Sequence, residues 1–296
     1  MADVEQQGIA PDELVGSLPP SELRELVARE PRFRAMVRQL ILSGGSPQRE
    51  SFEQLSRLRD LNLAIAAKPE GGDSIAAFLD IDGTVISGSI IQQLTRQASS
   101  EGYGKLSHVI QFVLCFLLYK LDLIPRVKMY RWGYAPCVGR SLGEIQSFVD
   151  RCLEKRILRK VHLEARAAIA DHRAWGHRCV AVTGAPDYAA AELCAALGFD
   201  DVLATPTRFT ENGLVDPEVQ EPVCFGDGKV PYLWAYAARH QVDLRRSYFY
   251  TDSFSDLPVL QQVGEPRVVN AQWLLLPTAI KRRWQRLRWK LLPPRA

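Results

Sequence analysis

The 296-residue sequence has six cysteines, Cys115, Cys137, Cys152, Cys179, Cys194 and Cys224, and no two of them form a C-x-x-C pair. That spacing argues against a zinc ribbon and against a secreted disulfide framework, leaving reduced, mostly buried thiols as the expectation. The acidic opening "MADVEQQGIAPDELVG" has no positively charged n-region. No signal peptide is expected, and the location is read as cytoplasmic. Long apolar runs are missing too. The most apolar one, "VIQFVLCFLL" at 109–118, is soon interrupted by Lys120 and Asp122. It falls short of the about 20 residues needed to span a bilayer, so it reads as a buried helix or a helix resting on lipid. A formal net charge of +3 is too small to imply nucleic acid, and no internal repeat is apparent.

The positive charge is unevenly placed. "IKRRWQRLRWKLLPPRA" carries seven Lys and Arg and no acid. Its alternation of basic residues with Trp284 and Trp289 resembles an interfacial helix, which predicts peripheral contact with the inner membrane face. A solvated helix packing its tryptophans on the sheet is the plainer expectation.

Residues 1–70 read as a helical extension, with apolar residues at helical spacing in "SELRELVAREPRFRAMVRQLIL" and "SFEQLSRLRDLNLAIAA". From residue 75 the pattern changes. "IAAFLDI" (75–81), "RCVAVTG" (178–184), "DVLAT" (201–205), "RRSYFYTD" (245–252) and "PRVVN" (266–270) read as five short strands. A helical region at 89–172 follows the first, and Asn212-Gly213 marks a hairpin. Gly198 is placed to end the helix that begins at "DYAAAEL". Strands alternating with helices predict an α/β, Rossmann-like three-layer sandwich with a mostly parallel five-stranded sheet. The expected divisions are an extension at 1–70, a core at 75–88 and 173–275, a helical cap at 89–172 and a basic tail at 276–296.

Ligands of such sheets bind beyond the carboxyl ends of the strands. There the sequence places Asp80 and Asp82 at the end of the first strand, Thr183 and Gly184 at the end of the second, and Asp252 at the end of the fourth, with Asp256 a turn later. Carboxylates this close repel, and burying them unpaired is costly. A divalent cation resolves that conflict. Magnesium favours hard oxygen ligands and takes one or two carboxylates alongside substrate phosphate. Lys229, in "FGDGKV", supplies a further positive charge for a phosphoryl group.

"DIDGT" (80–84), "AVTG" (181–184), "GDGK" (226–229) and "TDSFSD" (251–256) resemble, in order, the four motifs of the haloacid-dehalogenase-like hydrolases. The closest resemblance is to the phosphoserine-phosphatase-like branch, whose helical cap follows the first motif. The resemblance implies a magnesium-dependent phosphomonoester hydrolase working through an aspartyl phosphate. It makes Asp80 the nucleophile and Asp82 the general acid and base. It implies magnesium on Asp80, the backbone carbonyl of Asp82 and Asp252, phosphate on Thr183, Gly184 and Lys229, and Asp256 orienting Lys229.

The sequence departs from that pattern in three places. Thr251 stands where the fourth motif often begins with Gly. Asn270 remains from an Asn-Pro-Asp that family members often carry. Ser89 occupies the position where phosphoserine phosphatases resemble one another in carrying Glu, so an amino-acid substrate loses its expected counter-charge. An apolar, aromatic cap (Phe112, Phe116, Tyr119, Tyr130, Trp132, Tyr134) bordered by Arg126, Lys128 and Arg131 would suit an amphiphilic or lipid phosphate. Competing readings are a phosphoserine phosphatase, a phosphotransferase, and a membrane-associated adaptor with a vestigial site. His162, His172 and His177 read as surface or core residues, the last two too far apart at i, i+5 to share a helix face.

Overall fold

The computed structural model describes residues 72–101, 130–131 and 137–291. The expected extension, the run at 109–118 and most of the aromatic cap positions lie outside the described residues.

Strands β1 (Ala76–Asp80), β2 (Arg178–Pro186), β3 (Asp201–Thr205), β6 (Tyr248–Thr251), β7 (Glu265–Val269) and β8 (Gln285–Leu287) form one sheet in the order β3-β2-β1-β6-β7-β8. Every pairing in it is parallel. A separate antiparallel pair, β4 (Thr207–Phe209) and β5 (Val215–Val219), is joined through Asn212-Gly213. Helices α1 (Ile90–Ser100), α2 (Leu142–Cys152) and α3 (Leu163–Ala174) lie between β1 and β2, and α4 (Asp187–Leu197) follows β2. Gly198 ends α4 in the left-handed conformation. Among the described residues the other α-helices are α5 (Lys229–Arg239), α6 (Leu257–Leu260) and α7 (Leu276–Lys281).

Side chains alternate across a strand, so each strand feeds two cores. Ala77 and Leu79 of β1, Cys179 and Ala181 of β2 and Tyr250 of β6 pack with Ile145, Ile169 and Leu193 from α2, α3 and α4. Ala76 and Phe78, Val180 and Val182, and Phe249 pack on the other face with Leu233, Leu260 and Ala279 from α5, α6 and α7. These are the three layers the alternation of strands and helices predicts. Strands buried on both faces explain the near-continuous apolar runs.

The sheet has six strands rather than five. The extra one, β8, lies in the segment expected to be an interfacial helix or a solvated helix packing its tryptophans on the sheet. Gln285–Leu287 instead pairs with Arg267–Val269. Leu287 and Trp289 turn inward, and Trp289 is buried with its ring stacked on Tyr250 at 5.7 Å. Trp284 packs on the opposite core. Asn270, left-handed at φ 45°, holds the strand's exit. Its Nδ2 donates to Trp289 O and its Oδ1 accepts the Trp289 N–H, both at 3.1 Å. A three-residue edge strand, Gln285-Arg286-Leu287, gives little periodic signal, and charge is a usual feature of a sheet edge.

Of the histidines, His162 and His172 are buried core residues and His177 is half-buried. Helix α3 ends at Ala174, and the turn through Trp175 and Gly176 folds His177 back. His172 and His177 then meet, Nδ1 to Nδ1, at 2.9 Å, and His172 Nε2 lies 2.9 Å from Tyr250 Oη. Among the described residues, no helix is long and apolar enough to cross a membrane.

Candidate active site

Asp80 is the last residue of β1, beside Val182 of β2. Leu79 is level with Tyr250 of β6, which puts Thr251 and Asp252 at the same rim. Parallel pairing alone therefore brings Asp80, Thr183 and Asp252 to neighbouring strand ends.

Hydrogen bonds then tie most of the set together. Lys229, the first residue of α5, is 2% exposed. Its Nζ donates to Asp80 Oδ1 at 2.7 Å and to Asp256 Oδ2 at 2.8 Å. Asp256 Oδ2 also accepts from Thr251 Oγ1 at 2.8 Å. Threonine in place of the usual glycine thus braces the carboxylate that braces the lysine. Thr84 Oγ1 accepts the backbone N–H of Asp252 at 2.9 Å and lies 3.2 Å from Asp80 Oδ2 and 3.4 Å from Asp252 Oδ1. One hydroxyl therefore spans both carboxylates. Gly83, at φ +84°, permits this closeness, since a Cβ there would come within 2.5 Å of Asp252 Oδ2.

Asp82 sits on the same loop and turns toward α1. Its Oδ1 accepts the Ile90 N–H at 2.7 Å. Ser89 caps the same helix, its Oγ accepting from Gln92 N at 3.3 Å. Thr183 is fully buried, with Oγ1 accepting the Ala185 N–H at 3.0 Å, and it makes no direct bond to Asp80. Gly184 packs where a side chain would collide with Tyr130 Oη and crowd Phe225 Cδ2 at 3.1 Å. The end of β2 thus adjoins the 224–228 loop that leads into Lys229.

The electrostatics are unbalanced. Burial raises the Asp80 pKa well above the carboxylate range, and the charges of Asp256 and Asp252 add to that against the pull of Lys229. Burial pushes Asp82 up to about 6 and raises Asp252 as well. Lys229 moves upward because Asp256 and Asp80 outweigh its own desolvation. A single buried ammonium thus faces more negative charge than it can offset. A divalent cation fits such a site. Among the described residues, no group of three His, Cys, Asp or Glu side chains stands ready to hold an ion alone. Magnesium does not require one, because it keeps waters and shares substrate oxygens.

Sequence reasoning did not assign Thr84, Thr251, Gln272 or Tyr130 a place here. Gln272 Nε2 donates to Asp252 Oδ2 at 3.2 Å. Thr84 was visible as part of "DIDGT"; nothing in the sequence marks Gln272 as a neighbour of Asp252.

Comparison with known proteins agrees with this geometry. The profile of the haloacid dehalogenase-like hydrolases matches residues 77–261. A probable phosphatase of Mycobacterium tuberculosis is 30% identical over 214 residues, covering 71% of this chain and 73% of that protein. A Bordetella pertussis Tohama I protein of unknown function shares the fold, with a TM-score of 0.68 at 21% identity, covering 72% of this chain and 98% of that one. So does a phosphoserine phosphatase solved as a phospho-aspartyl intermediate analogue, with a TM-score of 0.54 at 16% identity, covering 74% and 95%. The chain belongs to the haloacid dehalogenase-like hydrolase family.

Proposed function

We propose that this hydrolase cleaves a phosphomonoester in two steps through a phosphorylated Asp80. The observation that carries this reading is the placement of Asp80. Lys229 holds its Oδ1 at 2.7 Å, while Oδ2 faces the cluster of Thr84 and Asp252. A buried carboxylate so fixed at a strand end is oriented to attack. The M. tuberculosis relative named a probable phosphatase supports the reaction class.

In the first step an Asp80 oxygen forms a bond to phosphorus and the bond to the leaving oxygen breaks. Asp82 gives that oxygen its proton. In the second step water attacks phosphorus, the Asp80–phosphorus bond breaks, and Asp82 takes the water's proton. A carboxyl raised to about 6 by burial is suited to both tasks near neutral pH. Lys229, the Thr183 hydroxyl and the Gly184 N–H hold phosphate oxygens and keep the attack in line. Asp256 holds Lys229 in place from below. Asp80, Asp252 and the Asp82 carbonyl would hold magnesium, which when bound neutralises charge gathering on the phosphoryl oxygens.

Within this reading residues 75–88 and 173–275 form the catalytic core, β8 completes its sheet, and the cap is drawn from 89–172, of which α3 packs against the sheet. Ser89 acts as a helix cap, and no carboxylate occupies its position to meet a substrate ammonium. That favours a phosphate ester other than an amino-acid phosphate. A screen of sugar, nucleotide, amino-acid and lipid phosphates with magnesium, using Asp80→Asn as control, tests the proposal. Equal turnover by the variant contradicts it.

A further inference from the structure

Just past the site, the chain turns apolar side chains outward. Residues 272–276 wind one helical turn into α7, with Leu275 N–H on Gln272 O at 2.9 Å and Leu276 N–H on the same oxygen at 3.3 Å. Trp273, Leu276 and Ile280 fall at helical spacing on one face and are 79%, 38% and 53% exposed; Leu274 beside them is 46% exposed. On the opposite face Leu275 and Ala279 are fully buried against the sheet. The helix is therefore apolar toward solvent as well as toward the core. Single exposed apolar residues need no explanation, but four together mark a contact surface.

The surroundings indicate the partner. Lys281, Arg282, Arg283, Arg286 and Arg288 follow directly and are all exposed. Strand alternation turns Arg286 and Arg288 away from inward-facing Leu287 and Trp289, toward the side of the sheet that carries α7. No Asp or Glu occurs from residue 271 to the last residue, 296. A second copy of this chain would bring the same positive charge against itself. A nucleic acid would meet the cations but leave Leu274, Leu276 and Ile280 in water. A bilayer with anionic headgroups satisfies both parts, taking the Trp, Leu and Ile side chains at the headgroup–acyl boundary and the cations among the phosphates.

We infer that Trp273, Leu274, Leu276 and Ile280, with the cations that follow, dock this protein on an anionic membrane surface. The residues differ from those expected from sequence. Trp284 and Trp289 face inward, and the membrane contact falls to Trp273 and the exposed face of α7. Gln272, the residue before Trp273, bonds Asp252, so the docked surface begins at the edge of the site. The contact itself stands apart from the phosphatase reading.

The test is sedimentation of the full chain with neutral phosphatidylcholine vesicles and with vesicles containing about one-third phosphatidylglycerol. The wild type is expected to bind the anionic vesicles, to bind the neutral ones weakly, and to release in about 0.5 M salt. Trp273→Ser with Ile280→Ser should lower partitioning at least about tenfold while turnover of a soluble aryl phosphate stays unchanged. Lys281→Glu with Arg282→Glu should do the same, and keeps the test open if the first variant aggregates. The inference is overturned if the wild type ignores anionic vesicles. It is also overturned if the variants bind as well as the wild type, or if light scattering shows a dimer that the serine variant dissolves without any vesicle binding.

Discussion

Thr84 and Asp252 lie 168 residues apart in sequence, yet the hydroxyl of the first accepts the backbone N–H of the second at 2.9 Å. That bond joins the loop after β1 to the loop after β6 and fixes the distance between two carboxylates that repel. Thr84→Val keeps the shape and removes the acceptor. It should cost about 1–3 kcal/mol and lower kcat, while Thr84→Ser should retain most of both. Denaturant midpoints and phosphatase rates for the two variants check this. Equal behaviour of Val and Ser would show that the bond is incidental.

Lys229 is buried between Asp80 and Asp256. Removing one member of a buried charge cluster leaves the others uncompensated, so Lys229→Met should destabilise by about 3–5 kcal/mol. Asp256→Asn should cost less, because Asp80 still pairs the ammonium, but it should reduce kcat by loosening Lys229. Urea unfolding measures both. A Lys229→Met protein as stable as wild type would show that the cluster contributes nothing to folding.

The carboxyl-terminal strand should matter to stability in a way a solvated tail would not. Trp289 is 8% exposed and stacks on Tyr250, so Trp289→Ala should cost about 3–5 kcal/mol. Asn270→Ala should also destabilise, because the Trp289 backbone N–H and C=O lose their partner. Thermal melts that leave either variant unshifted would contradict the packing of β8.

His172 is buried under Tyr250 and His177, and burial lowers its pKa to about 4, with the neighbouring charges of His177 and Arg267 acting the same way. The unfolded chain binds this proton near 6.5, so between about 6.5 and 4 the unfolded state holds more protons than the folded one. Stability is therefore fully present above about 6.5 and falls as pH drops toward 4, by at most about 3 kcal/mol from this residue. Urea midpoints at several pH values, compared with those of His172→Gln, isolate its share. Parallel pH curves for the two proteins would remove it.

Much of this fold was legible because parallel strands buried on both faces leave unbroken apolar runs, and because "DIDGT" concentrates charge where such a strand ends. Asp80, Asp82, Thr183, Lys229, Asp252 and Asp256 could each be named from position and chemistry. What pairing distant segments decides was not legible. Gln272 reaches Asp252 through a loop, Tyr130 meets Gly184 from more than fifty residues earlier in the sequence, and His177 reaches His172 only because α3 ends between them. Strand β8 is hard to read from sequence because its three residues, Gln285, Arg286 and Leu287, are too few for a period-2 signal, and packing on Tyr250 rather than β-propensity holds Trp289 in place. Ser89 was recognised by what it is not; that it caps α1 required the geometry.

The central claim is that Asp80 becomes phosphorylated. The most direct measurement is to mix enzyme, aryl phosphate and magnesium, quench with acid, reduce with borohydride and locate the modified residue by peptide mass spectrometry. Borohydride reduces an acyl phosphate to an alcohol, so the account predicts reduction at Asp80 alone, dependent on substrate and absent in Asp80→Asn. Phosphate release at the normal rate with Asp80 unmodified, or with the label on another side chain, would contradict it.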